Sequence, residues 1–455
     1  MMMRWVPALF MLLAACTPTT HAGFPSRISI EEVPLPPMKT FTATPTARAV
    51  AMSNLDLAQD FLDLSFALES GSALPVFTRF EGPIKVRLTG TAPASLRGDL
   101  SLLVLRLQRE AGIDIDQTTD DTAQITIEAV SRSAIKRVLP QAACFVAPNV
   151  SSLREFRQNR RSTKTNWLAL ETRSRIAIFV PNDVSPQEAR DCLHEELAQA
   201  LGPLNDLYRL PNSVFNDDNV HAVLTSFDML MLRITYAPEL ESGMTREEVA
   251  AQLPALLARL NPGSERPVKS PPSPTPRAWL KAIQTALGPD TDLWDRRVAA
   301  DETVRIAKAQ GWSDHRRGFS HYARARILQS TDPEKARAEY QTADRFFAGS
   351  SQTRLHRAYV ATQLAAYALA AGDSAETLRL TSPYIDVAQN AQNAALLSTL
   401  QLLQAEAYNI AGEAQRAQRI RLDSLGWARY GFGPDRAVLF KLDEIAALGE
   451  QAPPA

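Results

Sequence analysis

Cys192-Leu-His-Glu-Glu-Leu-Ala-Gln-Ala-Leu-Gly202, continued through Asn205-Asp206 to Asn212-Ser-Val-Phe215, concentrates the polar chemistry of this chain. Pro186 stands just ahead of it, where it suits the first turn of a helix because an N–H is not needed there. His194-Glu195 begins like the H-E-x-x-H zinc motif, which needs a second His four residues on so that both imidazoles sit one turn apart on one face. That position is Ala198, and in this frame the motif fails.

Shifted by one residue, Glu195-Glu196-x-x-Gln199-x-x-Gly202-x-x-Asn205-Asp206 lies on the metzincin template H-E-x-x-H-x-x-G-x-x-H. Glu196 takes the general-base position and Gly202 the turn, while the three ligand positions are changed to Glu195, Gln199 and Asn205. Asn212-Ser-Val-Phe215 resembles the Ser-x-Met of the Met-turn, with Phe215 in place of Met. Leu224-Thr-Ser-Phe-Asp228 and the amphipathic run to Tyr236 resemble the last helix of matrixin-type proteases. Roughly residues 80–260 therefore resemble a metzincin-like domain without its zinc, and the family known as domain of unknown function 2927. The resemblance implies an α+β domain, a twisted sheet packed with long helices.

Zinc takes soft or borderline ligands, usually His, and keeps one position open for water. One carboxylate and two amide oxygens make a poor zinc site, and hard cations want six or more oxygens. No metal and no cofactor is expected. His194 points about 100° away from Glu195 on a helix and reads as structural. Glu196 without a metal has little water to activate. Glu195, Glu196, Gln199, Asn205 and Asp206 are expected to satisfy one another as a hydrogen-bond network in place of the metal. If the chain is an enzyme, Glu196 is the residue that carries it.

Upstream, Ile84-Lys-Val-Arg-Leu88 and Gln124-Ile-Thr-Ile-Glu128 alternate as half-buried strands, and Arg175-Ile-Ala-Ile-Phe-Val180 is a more apolar one. Ser95 to Ala111 predicts a long helix with Ser95 as N-cap and Gly112 as its stop. Ser53 to Leu68 has helical spacing, and Met244-Thr-Arg-Glu-Glu248 opens a helix to about Leu260. Cys144 and Cys192 are expected to pair as a disulfide in an oxidising compartment, the alternative being two buried free thiols. Arg157, Arg160 and Arg161 read as a solvated loop.

Arg4, an apolar run from Trp5 to Leu13 and Leu13-Ala14-Ala15-Cys16 resemble a bacterial lipobox, with Cys16 as the lipidated residue. An ordinary signal peptide with a chance Cys is the other reading. The resemblance implies a periplasmic protein anchored by lipid, and Thr17 after Cys16 fits outer-membrane sorting. The 455 residues are 45% hydrophobic and 22% charged with a net charge of -1, which points to globular domains and gives no basic footprint for nucleic acid.

Prolines between Pro262 and Pro276 mark a stiff linker. Beyond Trp279 only helical patterns remain. Ala336, Tyr340 and Ala343, and again Ala405, Tyr408, Gly412 and Ala417, are spaced as in tetratricopeptide (TPR) hairpins. Asp332-Pro333, Gly372-Asp373 and Gly412-Glu413 fall about forty residues apart. A plain helical bundle is the alternative. The expected organisation is a signal peptide at 1–16, a disordered spacer at 17–52, a metzincin-like domain at 53–261, a linker at 262–277 and an all-α, TPR-like helical-hairpin array at 278–450. The expected function is a non-catalytic envelope lipoprotein that binds a protein or peptide through its cleft and helical repeats. The alternative is a hydrolase or peptidase using Glu196 with a non-standard metal or none.

Overall fold

The computed structural model describes residues 35–42, 49–264, 273–289 and 291–450. Cys16 and its targeting stretch lie outside the described residues, as does the centre of the proline-rich linker. Ser53 caps α1 (Asn54–Ser65) by accepting from the Asp56 amide. Then come β1 (Ile84–Gly90), α2 (Ala94–Arg106), β2 (Ile115–Gln117), β3 (Ile125–Val130), α3 (Arg132–Lys136), β4 (Phe145–Pro148), α4 (Leu153–Asn159) and β5 (Ile176–Pro181). The strands form one sheet in the order β2-β1-β3-β5-β4, parallel except for the edge strand β4. Every residue of β5 is buried, which accounts for its unbroken apolar sequence.

The expected N-cap at Ser95 is not found. The helix is capped two residues earlier, at Pro93, with no side-chain capping bond. Its last turn widens over Leu107–Ala111 before Gly112, whose φ of 70° suits glycine, ends it. On one face of the sheet lie α2 and the motif helix α5 (Pro186–Leu201), in a core shared with α1, α6 (Ser226–Thr235) and α7 (Arg246–Leu260). The disulfide Cys144–Cys192 ties α5 to the chain entering β4.

The C-terminal half is helical throughout: α8 (Arg277–Leu287), α9 (Leu293–Ala309), α10 (His315–Leu328), α11 (Pro333–Phe347), α12 (Arg354–Ala370), α13 (Ser374–Thr381), α14 (Ile385–Asn390), α15 (Ala394–Ile410), α16 (Ala414–Phe432) and α17 (Asp435–Glu450). Neighbouring helices pair as hairpins, α8 with α9, α10 with α11, α12 with α13 and α15 with α16. Asp332 and Asp373 cap the second helices of two hairpins, each accepting an amide three residues on. Ala336, Tyr340 and Ala343 are fully buried on α11. No helix among the described residues is long and apolar enough to cross a membrane.

The two halves interlock. On α5, Gln187 donates to the Asn393 side chain (3.1 Å) and accepts from the Ala395 amide (3.0 Å), and Arg190 donates to the Gln392 carbonyl. Buried Tyr430 donates to Asp99 of α2 at 2.7 Å. Further along, His315 bonds the Tyr208 carbonyl at 2.6 Å, and His356 pairs with Asp218 at 2.8 Å.

Candidate functional site

The helix α5 is built as its sequence suggests. Ser185 accepts from the Glu188 amide and Pro186 occupies the first turn. Its C-terminal carbonyls are capped by a residue that the sequence did not advertise. Buried Arg173 donates to the carbonyls of Gln199 (2.6 Å) and Ala200 (2.8 Å) and also to Gly202, a favourable place for a cation at the negative end of a helix. Burial lowers the Arg173 pKa to about 10, which still leaves it charged at neutral pH. Gly202 is needed for close approach: a Cβ there would sit 3.0 Å from Thr235 Oγ1 on α6.

Below α5, the turn at Asn212–Phe215 is fixed by Asp228. Its carboxylate accepts from Ser213 Oγ at 2.5 Å and from the amides of Val214 and Thr225, while Thr225 closes a capping box on α6. Phe215 is fully buried beneath α5 and its carbonyl accepts from the Leu207 amide. His194 is buried, and its Nδ1 accepts from the Leu224 amide at 3.3 Å. Burial first, then Arg190 and Arg106, hold its pKa well below the ordinary histidine value, so it sits neutral as an acceptor.

The template positions separate into two groups. Glu195, Glu196, Gln199 and Asp206 lie in one acidic neighbourhood with Glu69 and Asp217, neither of which the sequence singled out. Gln199 donates to Glu69 at 3.4 Å, and Asp206 lies close enough to Glu69 for that carboxyl to oppose its ionisation. Asn205 stands apart. Its amide nitrogen donates to the Asp63 carbonyl at 2.9 Å and its amide oxygen accepts from the Asp206 amide, so it fastens the chain to the end of α1. Among the described residues, no group of three or more His, Cys, Asp or Glu is placed to hold a metal ion. Both ends of the Asn205 amide are committed to backbone, so Glu195, Gln199 and Asn205 do not fit zinc.

The acidic neighbourhood is held largely as neutral acid. Burial, then Asp217, Glu69 and Asp191, push the Glu195 carboxyl up to about 8. Burial, Glu195 and Glu69 raise Glu196 well above the carboxylate range, and burial with Glu69, Glu195 and Asp217 does the same to Asp206. Asp217 rises to about 6 through burial and Glu69, against the lowering bond from Tyr208. Glu196 is 5% exposed, and its Oε2 and the Asp206 Oδ1 have no hydrogen-bond partner among the described residues. Helix α8 approaches this neighbourhood: Gln284 lies beside Asp217, Trp279 packs edge-on to Tyr208 at 5.0 Å, and Arg277 reaches the turn at Gly71.

Residues 54–255 match the family model described as "Protein of unknown function (DUF2927)". The matched stretch runs from the first residue of α1 into α7. It holds the sheet, α5, the disulfide and the acidic neighbourhood, and leaves the helical hairpins outside. No curated protein and no solved structure matches the chain.

Proposed function

We propose that the chain is a non-catalytic cell-envelope lipoprotein. In this reading a metzincin-like domain that has lost its zinc chemistry is joined to a TPR-like, protein-binding helical array, with Cys16 as the lipid anchor at the outer membrane. The carrying observation is the fate of the template positions: Asn205 is spent on backbone, while buried Glu196 and half-buried Glu195 lie among other acids that favour their protonated form. A protonated acid is a poor general base. The order of elements, with strand, long helix, strands and then the motif helix over the Phe215 turn, supports the metzincin-like reading. The disulfide supports an oxidising compartment outside the cytoplasm. Hairpins stacked in series support a partner-binding role for the C-terminal half.

The rival reading, a hydrolase built on Glu196, draws on the unpartnered Oε2 of that residue. Comparison of the wild type with Glu196→Gln in a peptidase screen, with and without added divalent metals, separates the two. The proposal expects both proteins to be equally inert; cleavage by the wild type that the substitution abolishes would establish the enzyme.

A further inference from the structure

Residues 35–42 fall inside the stretch expected to be a spacer, yet they lie extended along α16 in a manner that resembles a bound peptide. Leu35 enters the apolar pocket of Leu425, Ala428 and Val438. The Pro36 carbonyl accepts from Arg429 at 3.0 Å, and the Lys39 amide donates to the Gly426 carbonyl at 2.9 Å. Gly426 makes that approach possible, since a Cβ there would lie 3.0 Å from Lys39 Cγ and 3.2 Å from the Pro37 carbonyl. The Lys39 ammonium pairs with Asp423 and lies 5.5 Å over the Trp427 ring. Phe41 stacks on Trp427 at 4.6 Å and meets Tyr430 edge-on at 6.1 Å, and the buried Arg190 guanidinium lies 5.1 Å from both the Phe41 and Tyr430 rings.

The inward residues are Leu35, Pro36, Lys39 and Phe41, while Pro37, Met38, Thr40 and Thr42 face outward. Two main-chain bonds fix the register and three side-chain contacts read the sequence, the division of labour found where a folded surface recognises an extended segment. Two prolines restrict the free segment to extended conformations, so less entropy is lost on docking.

We propose that the face of α16 bordered by Arg190 is a peptide-binding site. It takes extended, proline-containing segments with an aliphatic residue, a lysine four positions on and a phenylalanine two beyond that. Residues 35–42 are its resident ligand, and a partner segment of the same chemistry displaces them. Arg190 and Tyr430, which contact Phe41, also join α5 and α2 to the helical half, so exchange of the ligand acts at the junction of the two halves. The proposal deepens the reading of the helical array as a protein-binding scaffold, but peptide cleavage by the chain would sink that reading and leave this site standing.

The test uses the full chain carrying Lys39→Glu and Phe41→Ala, which empties the site in cis, and a fluorescein-labelled synthetic peptide of residues 35–42. Anisotropy should show saturable binding to this variant and at least ~10-fold weaker binding to the wild type, whose own segment competes at millimolar effective concentration. Adding Trp427→Ala to the variant, or Phe→Ala within the peptide, should abolish binding. A folded variant that does not bind the peptide, or binds it equally well with Trp427→Ala, overturns the proposal. If the double variant does not fold, the wild type is saturated with unlabelled peptide and hydrogen exchange at the Lys39 amide is followed. Faster exchange supports displacement, and unchanged exchange refutes it.

Discussion

Glu195→Gln should stabilise the protein, and increasingly so as the pH rises. The folded-state pKa of Glu195 is pushed up to about 8 from an ordinary 4.5, because burial and the Asp217, Glu69 and Asp191 carboxylates oppose its ionisation. A carboxyl with a raised folded pKa holds its proton longer in the folded state than in the unfolded chain. Its stabilising contribution is complete below pH 4.5 and is lost as the pH climbs through 8. At about 1.4 kcal/mol for each pH unit, the loss is ~1 kcal/mol at pH 5 and up to ~3 kcal/mol at pH 7. Gln keeps the shape and cannot ionise, so the variant avoids this loss; the charge it removes also acts on Glu196 and Asp206. Urea unfolding of wild type and variant, followed by circular dichroism from pH 5 to 8, reads the difference directly. A gap that widens with pH supports the reasoning. A variant no more stable than the wild type at pH 8, or a gap independent of pH, refutes it.

The histidines at the junction of the two halves should respond to acid in the opposite direction. Burial, aided by His356, holds His315 and His221 down to about 4, so the unfolded chain binds more protons between about pH 6.5 and 4 and stability is lost across that window. Protection factors of the amides around Tyr208 and His315, which allow for the slower intrinsic exchange in acid, should fall below pH 6, and protection unchanged down to pH 4.5 would contradict this. Breaking the Cys144–Cys192 bond by Cys192→Ala should cost about 2–4 kcal/mol, since it releases a closed loop with a sequence separation of 48; melting with and without reductant checks the value. Tyr430→Phe removes the partner of buried Asp99 and should cost about 1–3 kcal/mol in chemical denaturation. Gly431→Ala would place a Cβ 2.4 Å from the Ala395 backbone nitrogen, forcing α15 and α16 apart at a cost of about 1–3 kcal/mol, measurable as a lower melting temperature.

Elements whose burial follows a local period were legible in the sequence. The sequences of β1 and β3 alternate, although Thr126 of β3 is itself buried, β5 is uniformly apolar because both its faces are covered, and Pro186 with Ser185 announces the start of α5. What escaped notice depends on contacts far apart in the chain. Glu69 sits in a turn after α1 and joins the α5 acids only once α1 packs beside them. Arg173, in the loop before β5, looked like any loop arginine until its bonds to the end of α5 were seen. His356 and Asp218 are separated by 138 positions, and neither lies in a motif. Asn205 is legible as a polar residue after the Gly202 turn and is expected to join Glu195, Glu196 and Gln199, but its amide turns instead to the Asp63 carbonyl and the Asp206 amide, which no spacing rule contains. The segment 35–42 has the proline-rich composition of a spacer, and only the surface of α16 distinguishes it from one.

The central claim about this protein is that Glu195, Gln199 and Asn205 do not make a zinc site. Calorimetric titration of the metal-free full chain with zinc, backed by elemental analysis of the protein as purified, tests it. The account predicts no saturable site and zinc far below one equivalent per chain. One tightly bound zinc per chain, lost in Glu195→Gln, would contradict it.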